Sequence, residues 1–241
     1  MCLFVNGRLK QIKMKKRKFN YLVAILLIAM SFAACDKDDL SGNANLSISA
    51  KIENGVIQKS ASEVTSATLT FNEGYVWVRE IVFDGDIKGG QTVSKTIERF
   101  SKIDFATGTA TPTLDDVIIP AGEYTFINLG VELRDEDNQP SILMKGIYQR
   151  TDGTSSPIEF RFNSGEVFEA ESEGAVVESD ETAFARIVFD PTVWFSVISV
   201  TRLDNATVND DGVIIISGNN NSSIFDDVAD RLDISTQAEF E

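Results

Sequence analysis

Gly74-Tyr75-Val76-Trp77-Val78-Arg79-Glu80-Ile81-Val82-Phe83 decides the fold of this chain. The run is β-branched and aromatic on both parities, so both faces of an extended segment would carry apolar weight, as a strand at the centre of a sheet requires. Asp84-Gly85 reads as the turn that closes it. Working outward, Leu46-Ser47-Ile48-Ser49-Ala50-Lys51-Ile52 and Ala67-Thr68-Leu69-Thr70-Phe71 alternate apolar and polar residues, the pattern of half-buried strands. Ile118-Ile119-Pro120-Ala121-Gly122 is a turn signal. The strand it introduces places Thr125, Ile127, Leu129, Val131 and Leu133 on one face, with Tyr124, Phe126, Asn128 and Glu132 on the other. Asp135-Glu136-Asp137-Asn138-Gln139-Pro140 is the next turn, and Ile142 to Tyr148 and Ile158 to Phe162 follow as strands. Turn residues recur at sandwich spacing.

The last third changes character. A strand from Ala183 to Phe189 ends in Asp190-Pro191, an N-cap residue followed by the proline favoured in a first helical turn. Val193, Trp194, Val197, Ile198 and Thr201 then recur at helical spacing and predict one helix over Thr192 to Leu203. Val213 to Ile216 is a short buried strand. Ser222 or Ser223 would cap a final helix with Ile224, Phe225, Val228 and Leu232 on one stripe and Asp226, Asp227, Asp230 and Arg231 on the other. The expected fold is therefore mainly β: an antiparallel β-sandwich with two short C-terminal helices.

The N-terminus carries an address. Lys10, Lys13, Lys15, Lys16, Arg17 and Lys18 precede an apolar core from Tyr21 to Met30, and Ser31-Phe32-Ala33-Ala34-Cys35 ends it in small residues and a cysteine. This is the tripartite plan of a secretory signal with a lipoprotein cleavage site before Cys35. The apolar stretch is shorter than the roughly 20 residues of a membrane-spanning helix. An ordinary signal peptide with a chance cysteine is the alternative. Met14 is the expected true start, because Met14-Lys15-Lys16-Arg17-Lys18 opens a compact positive region. The expected organisation is residues 1–34 as lipoprotein signal peptide, 35–45 as acylated flexible tether and 46–241 as a single β-sandwich domain with a helical C-terminal part. Each buried methylene of an acyl chain contributes about 0.8 kcal/mol, so more than one chain on Cys35 would make the anchor stable.

Cys35-Asp36-Lys37-Asp38-Asp39 resembles the export signal of Bacteroidota surface lipoproteins, a lysine and two acids just after the acylated cysteine. The resemblance implies that Lys37, Asp38 and Asp39 direct the protein to the outer face of the outer membrane; the periplasmic face is the alternative. Ile119-Pro120-Ala121-Gly122-Glu123-Tyr124-Thr125 and Asp190-Pro191-Thr192-Val193-Trp194-Phe195 resemble, in layout, uncharacterised bacterial lipoprotein domains of a carbohydrate-binding-like or transthyretin-like sandwich type. That resemblance implies a binding or adhesive role. The helical tail departs from the simple sandwich.

Composition narrows the chemistry. Cleavage before Cys35 would remove seven of the 22 basic residues and none of the 37 acids, leaving 15 against 37 and a formal charge of −22. Such a surface repels nucleic acid and anionic lipid head groups, so the expected membrane partner is the lipid anchor's bilayer only, and no nucleic acid. The two cysteines are Cys2, ahead of Met14, and Cys35, so the mature domain has no intrachain disulfide. There is no histidine, which excludes Ser-His-Asp and Cys-His hydrolases and His-ligated metals.

Three groups of residues remain as candidates. Tyr75, Trp77 and Tyr124, with Tyr148, could present aromatic faces to a sugar. Asp204, Asn209, Asp210 and Asp211 are the calcium candidates, with Asp135, Glu136 and Asp137 a second acidic loop, since oxygen-rich loops hold Ca²⁺. Thr207 and Gly218 stand where a twelve-residue calcium loop needs its first Asp and its bidentate Glu, so no cofactor is the base expectation. Glu171 with Glu173, or Asp115 with Asp116, could be paired as glycosidase carboxylates only if set across a cleft. The expectation is a non-enzymatic, outer-membrane-anchored binding or adhesion module for a glycan or protein ligand. The alternative is a structural or accessory subunit of an envelope complex facing the periplasm.

Overall fold

The computed structural model describes residues 42–240 apart from Asn54, 61–65, Asp115, Asp137 and 233–236. The signal segment, Met14, Cys35 and the Lys37-Asp38-Asp39 run lie outside the described residues. Among the described residues the chain is mainly β, with two sheets and three short helices.

The smaller sheet places β1 (Asn43–Ile52) between β6 (Val117–Pro120) and β12 (Thr182–Phe189), and β12 pairs in turn with β14 (Gln237–Phe240). The larger sheet is organised by β3 (Ser66–Ile87), 22 residues long. One side of β3 is paired first by β2 (Val56–Ser60) and then by β4 (Gln91–Asp104). The other side is paired by β8 (Ile142–Gln149) along its first half and by β7 (Gly122–Leu133) along its second. Outside these lie β9 (Ser155–Phe162) on β8, with β10 (Val167–Ser172) and β11 (Ala175–Val177) on β7, while β5 (Ala110–Thr111) extends β4 and β13 (Ile214–Ile216) extends β9. Two pairings, β1 with β12 and β13 with β9, are parallel, so the sandwich is not antiparallel throughout.

Alternation explains which residues enter the core. Leu46 and Ile48 of β1, Ile119 of β6, Ile187 and Phe189 of β12, Ile81 and Phe83 of β3, and Leu129, Val131 and Leu133 of β7 all belong to one buried cluster. The helical tail contributes to the same cluster. Phe195 packs on Phe71 and Phe160, with ring centroids 4.9 and 5.7 Å apart, and Phe225 stacks on Phe160 and Phe162. The tail is therefore a lid on the first half of the large sheet.

Several sequence expectations need correction. The runs around Ala67 and Gly74 are one strand, and Asp84-Gly85 lies inside it; the chain turns only at residues 88–90. Gly85 is needed for close approach, since a Cβ there would sit 2.7 Å from the Tyr124 ring. The extended chain begins at Asn43, so residues 43–45 of the expected tether pair with β6, and Ala44 is buried. Val117–Pro120 is itself a strand. In β7 a register shift opposite Asp86 and Ile87 leaves Thr125 exposed and turns Tyr124 into the core.

The helix expected over Thr192 to Leu203 is two helices. The first, α1 (Pro191–Trp194), is capped by Asp190, whose carboxylate accepts from the Thr192 amide at 2.8 Å. The chain then turns, and Ser199 caps α2 (Val200–Asp204). The N-cap of the last helix, α3 (Ser222–Ala229), is Asn221 rather than either serine. The Asn221 side chain instead ties loops together, donating to the carbonyls of Thr207 and Ile215 at 2.9 and 2.8 Å.

Candidate functional site

The outer face of β3 carries the most distinctive grouping of side chains. Two register shifts on β3, between Phe71 and Glu73 and between Val78 and Glu80, bracket Tyr75 and Trp77. Such bulges re-aim side chains and increase local twist. Gly74 makes the first one feasible: its φ is +132°, and a Cβ there would fall 1.9 Å from the Leu143 carbonyl oxygen. The segment Tyr75 to Trp77 also spans the point where the flanking strand changes from β7 to β8. The Trp77 amide donates to the Ser141 carbonyl at 2.7 Å, while its carbonyl accepts from the Arg134 amide at 2.9 Å.

This geometry delivers cations to both sides of Trp77. Lys102 of β4 lies opposite Trp77 in the ladder, and its Nζ is 4.9 Å from the Trp77 ring centroid and 3.8 Å from that of Tyr75. Arg134, just past β7, places its guanidinium carbon 4.0 Å from Trp77 and 5.3 Å from Phe100. Tyr75 and Trp77 meet edge to face at 6.2 Å. The result is an alternating row, Phe100, Arg134, Trp77, Lys102, Tyr75, in which each cation lies between two rings. Cation–π pairs at exposed sites contribute about 0.5–1 kcal/mol each. Phe100, at the end of the row, is 50 % exposed.

The row continues across β8 and β9. Lys145 and Arg161 both pair with Glu159, Lys145 at 3.1 Å. Burial opposes ionisation of Glu159, but the hydrogen bonds and charges of Arg161 and Lys145 outweigh it and hold the carboxyl below its usual range. Partial burial raises the Tyr75 phenol, against the opposing charge of Lys145. Toward the other end of β3 the sign reverses. Glu80 stands opposite Glu98 of β4 and Glu132 of β7, and Arg79 binds Glu132 at 2.9 Å. Desolvation first, then the hydrogen bond and charge of Glu132, push the Glu80 carboxyl above its ordinary value. One sheet face thus has an aromatic half, in which cations alternate with rings and pair with Glu136 and Glu159, and a half in which Glu80, Glu98 and Glu132 face one another.

Of the aromatic residues singled out in the sequence, Tyr75 and Trp77 come together here and the other two do not. Tyr124 is 1 % exposed, edge-on to Phe83, and donates its hydroxyl to the Pro120 carbonyl at 2.8 Å; burial pushes its phenol up to about 12. Tyr148 is buried under the tail and donates to Asp204 Oδ1 at 2.8 Å. Neither can present a ring to a ligand.

The acidic loops take structural parts. Asp204 accepts the Tyr148 hydroxyl, and Asn209 Oδ1 accepts from the amides of Asp211 and Val213 at 3.1 and 2.8 Å, closing a tight turn. Glu136 pairs with Arg134 at 3.2 Å. Asp116 accepts from the Asn45 amide group at 3.0 Å, which lowers its carboxyl. Asp115 and Asp137 lie outside the described residues. Among the described residues, no three acids converge as a metal site would require. Glu171 lies on β10 with Asn128 opposite, and Glu173 follows it as an exposed residue.

A second feature lies beside β2, where it pairs with the start of β3. An open cleft of about 520 Å³ is lined by residues that include Lys59, Thr192, Ser196 and Ser199. Lys59 is buried, and its ammonium donates to the carbonyls of Phe195 and Ile198, clasping β2 to the turn after α1. Desolvation lowers its pKa.

Sequence reasoning did not find Phe100, Lys102, Arg134, Lys145 or Arg161. The available signal was the spacing Phe100, Lys102, Asp104 along a segment whose strand character was not recognised. No protein-family model matches the chain, and no curated protein or solved structure matches it.

Proposed function

We propose that this chain is an outer-membrane lipoprotein, anchored through Cys35 and displayed at the cell surface, that acts as a non-catalytic binding or adhesion module for a glycan or protein ligand. The observation that carries the binding part is the row of Phe100, Arg134, Trp77, Lys102 and Tyr75 on the outer face of β3, in which Phe100 and Lys102 are exposed and Tyr75, Trp77 and Arg134 half-buried. Aromatic and arginine side chains are the groups that dominate recognition surfaces. Bulges on both sides of the row re-aim its side chains, a device that recurs next to functional sites. The resemblance to lipoprotein sandwich domains supports the same reading by analogy of fold.

The test is an array of glycans and extracellular proteins probed with the mature lipoprotein in detergent, as wild type and as the Trp77→Ala/Phe100→Ala variant. The expected result is saturable binding to at least one ligand class that the variant loses while its thermal unfolding stays cooperative. Equal binding by the two proteins, or hydrolysis of any arrayed glycan, contradicts the proposal.

A further inference from the structure

We propose that the ligand of this face is an acidic polysaccharide, whose ring carboxylates are seated by Lys102, Arg134 and Lys145. The inference rests on the reading of the outer face of β3 as the binding surface. It begins from a charge imbalance. After cleavage at Cys35 the chain would carry 15 basic residues against 37 acidic ones, yet four of the fifteen, Lys102, Arg134, Lys145 and Arg161, lie on one sheet face against only two paired carboxylates, Glu136 on Arg134 and Glu159 shared by Lys145 and Arg161. Lys102 is the least compensated of them. Among the described residues no carboxylate lies within ion-pair distance of it, and the groups facing its ammonium are the Tyr75 and Trp77 rings. A π face offsets part of a full positive charge, and the remainder is available to an anion.

The same stacking argues against a neutral sugar. Neutral glycans bind aromatic residues by laying C–H bonds against an open ring face. The Trp77 ring carries Arg134 at 4.0 Å and Lys102 at 4.9 Å from its centroid, and Lys102 also lies over the Tyr75 ring at 3.8 Å. A neutral pyranose would have to displace a cation from each ring. A uronate residue would instead place its carboxylate against the ammonium and guanidinium heads, and its apolar C–H surface against the ring edges and half-exposed Phe100. Arginine adds a fork suited to a planar carboxylate.

Topology disfavours an acidic peptide. Peptides commonly add to sheets at an unpaired edge, where main-chain hydrogen bonds supply affinity. Around Tyr75 to Trp77, β3 is paired on one side by β4 and bonded on the other by Ser141, Arg134 and β8. No backbone edge is open there, and recognition must come from side chains on the face. A ring-shaped ligand with fixed carboxylates suits such a surface better than a strand does.

The experiment titrates the mature lipoprotein in detergent with polygalacturonate, dextran or poly-glutamate, following tryptophan fluorescence, with Trp77→Phe to identify the responding indole. The expected result is a saturable response to polygalacturonate that weakens with salt, is absent for dextran, and is at least about tenfold weaker for poly-glutamate. Lys102→Met should weaken polygalacturonate binding about tenfold, the loss of one charge-assisted contact. Lys88→Met, which removes a cation at the far end of β3 from the row, should not. A protein that binds dextran, with binding kept in Lys102→Met, overturns the acidic ligand and leaves the binding module intact. Equal responses to polygalacturonate and poly-glutamate overturn the glycan. No response to any probe, in a protein that also fails the array, overturns both this inference and the reading beneath it.

Discussion

Gly85→Ala places a methyl group where the fold has no room for one. The ideal Cβ lies 2.7 Å from Cδ1 and Cε1 of Tyr124, well inside carbon–carbon contact distance. The ring cannot retreat cheaply, because it is buried, held edge-on to Phe83 at 5.9 Å, and tied by its hydroxyl to the Pro120 carbonyl at 2.8 Å. Overpacking of this kind costs about 1–3 kcal/mol. Alanine in a strand recovers about 0.5–1 kcal/mol of the entropy that glycine gives up, so the net destabilisation is about 1–2 kcal/mol. For a domain of this size that lowers Tm by roughly 5 °C. Tyr124→Ala alone removes a large buried ring and should cost about 3–5 kcal/mol. In that background the clash is gone, and Gly85→Ala should be neutral or stabilising. Urea unfolding of the four proteins, followed by fluorescence of buried Trp194, would then give a coupling energy of about 2 kcal/mol. If Gly85→Ala is as stable as wild type, or destabilises equally in both backgrounds, Gly85 is not where β3 and β7 place it.

Gly74→Ala is the harsher change, since the Cβ would meet a backbone oxygen at 1.9 Å and no side chain can move to relieve it; a loss of about 3 kcal/mol or more is expected in urea unfolding. Glu80→Gln should stabilise the protein at neutral pH. The Glu80 carboxyl is raised in the folded state, so its ionisation opposes folding as pH rises through that raised value. The gain is below about 1 kcal/mol because the pair is only partly buried and solvent screens it, and it should vanish below the ordinary glutamate range, as Tm measured against pH would show. Tyr148→Phe deletes the hydrogen bond to Asp204 and should cost about 1 kcal/mol at neutral pH. Burial raises the Tyr148 phenol, so the wild type should lose stability as pH climbs above the normal tyrosine range, and the variant should lose less.

The β character of the chain was legible because apolar alternation is a local property. Leu46 to Ile52 and Ala67 to Phe71 carry it plainly, and both lie in strands. β4 was not legible: among Gln91 to Asp104 only Val93, Ser101 and Ile103 are buried, too few to set a period. The helix expected over Thr192 to Leu203 had the right apolar positions, but the chain turns between Phe195 and Ser199, where the Lys59 ammonium takes the Phe195 and Ile198 carbonyls. A lysine some 140 positions earlier leaves no mark on the local pattern. The candidate site was half legible for the same reason. Tyr75 and Trp77 share a strand and a parity, whereas Lys102 meets them through the β3–β4 register and Arg134 through a turn. Tyr124 was misassigned because one extra residue at Thr125 reverses its face, and a bulge has no period to read.

The central claim, an outward-facing module on a lipid anchor, is tested most directly by treating intact cells with a protease and probing for the domain, in wild type and in a variant with Lys37, Asp38 and Asp39 all changed to alanine. The account predicts that the wild-type signal is lost and the variant is protected. Protection of both proteins, in cells whose envelope is shown to be intact, would contradict it and place the domain inside the outer membrane.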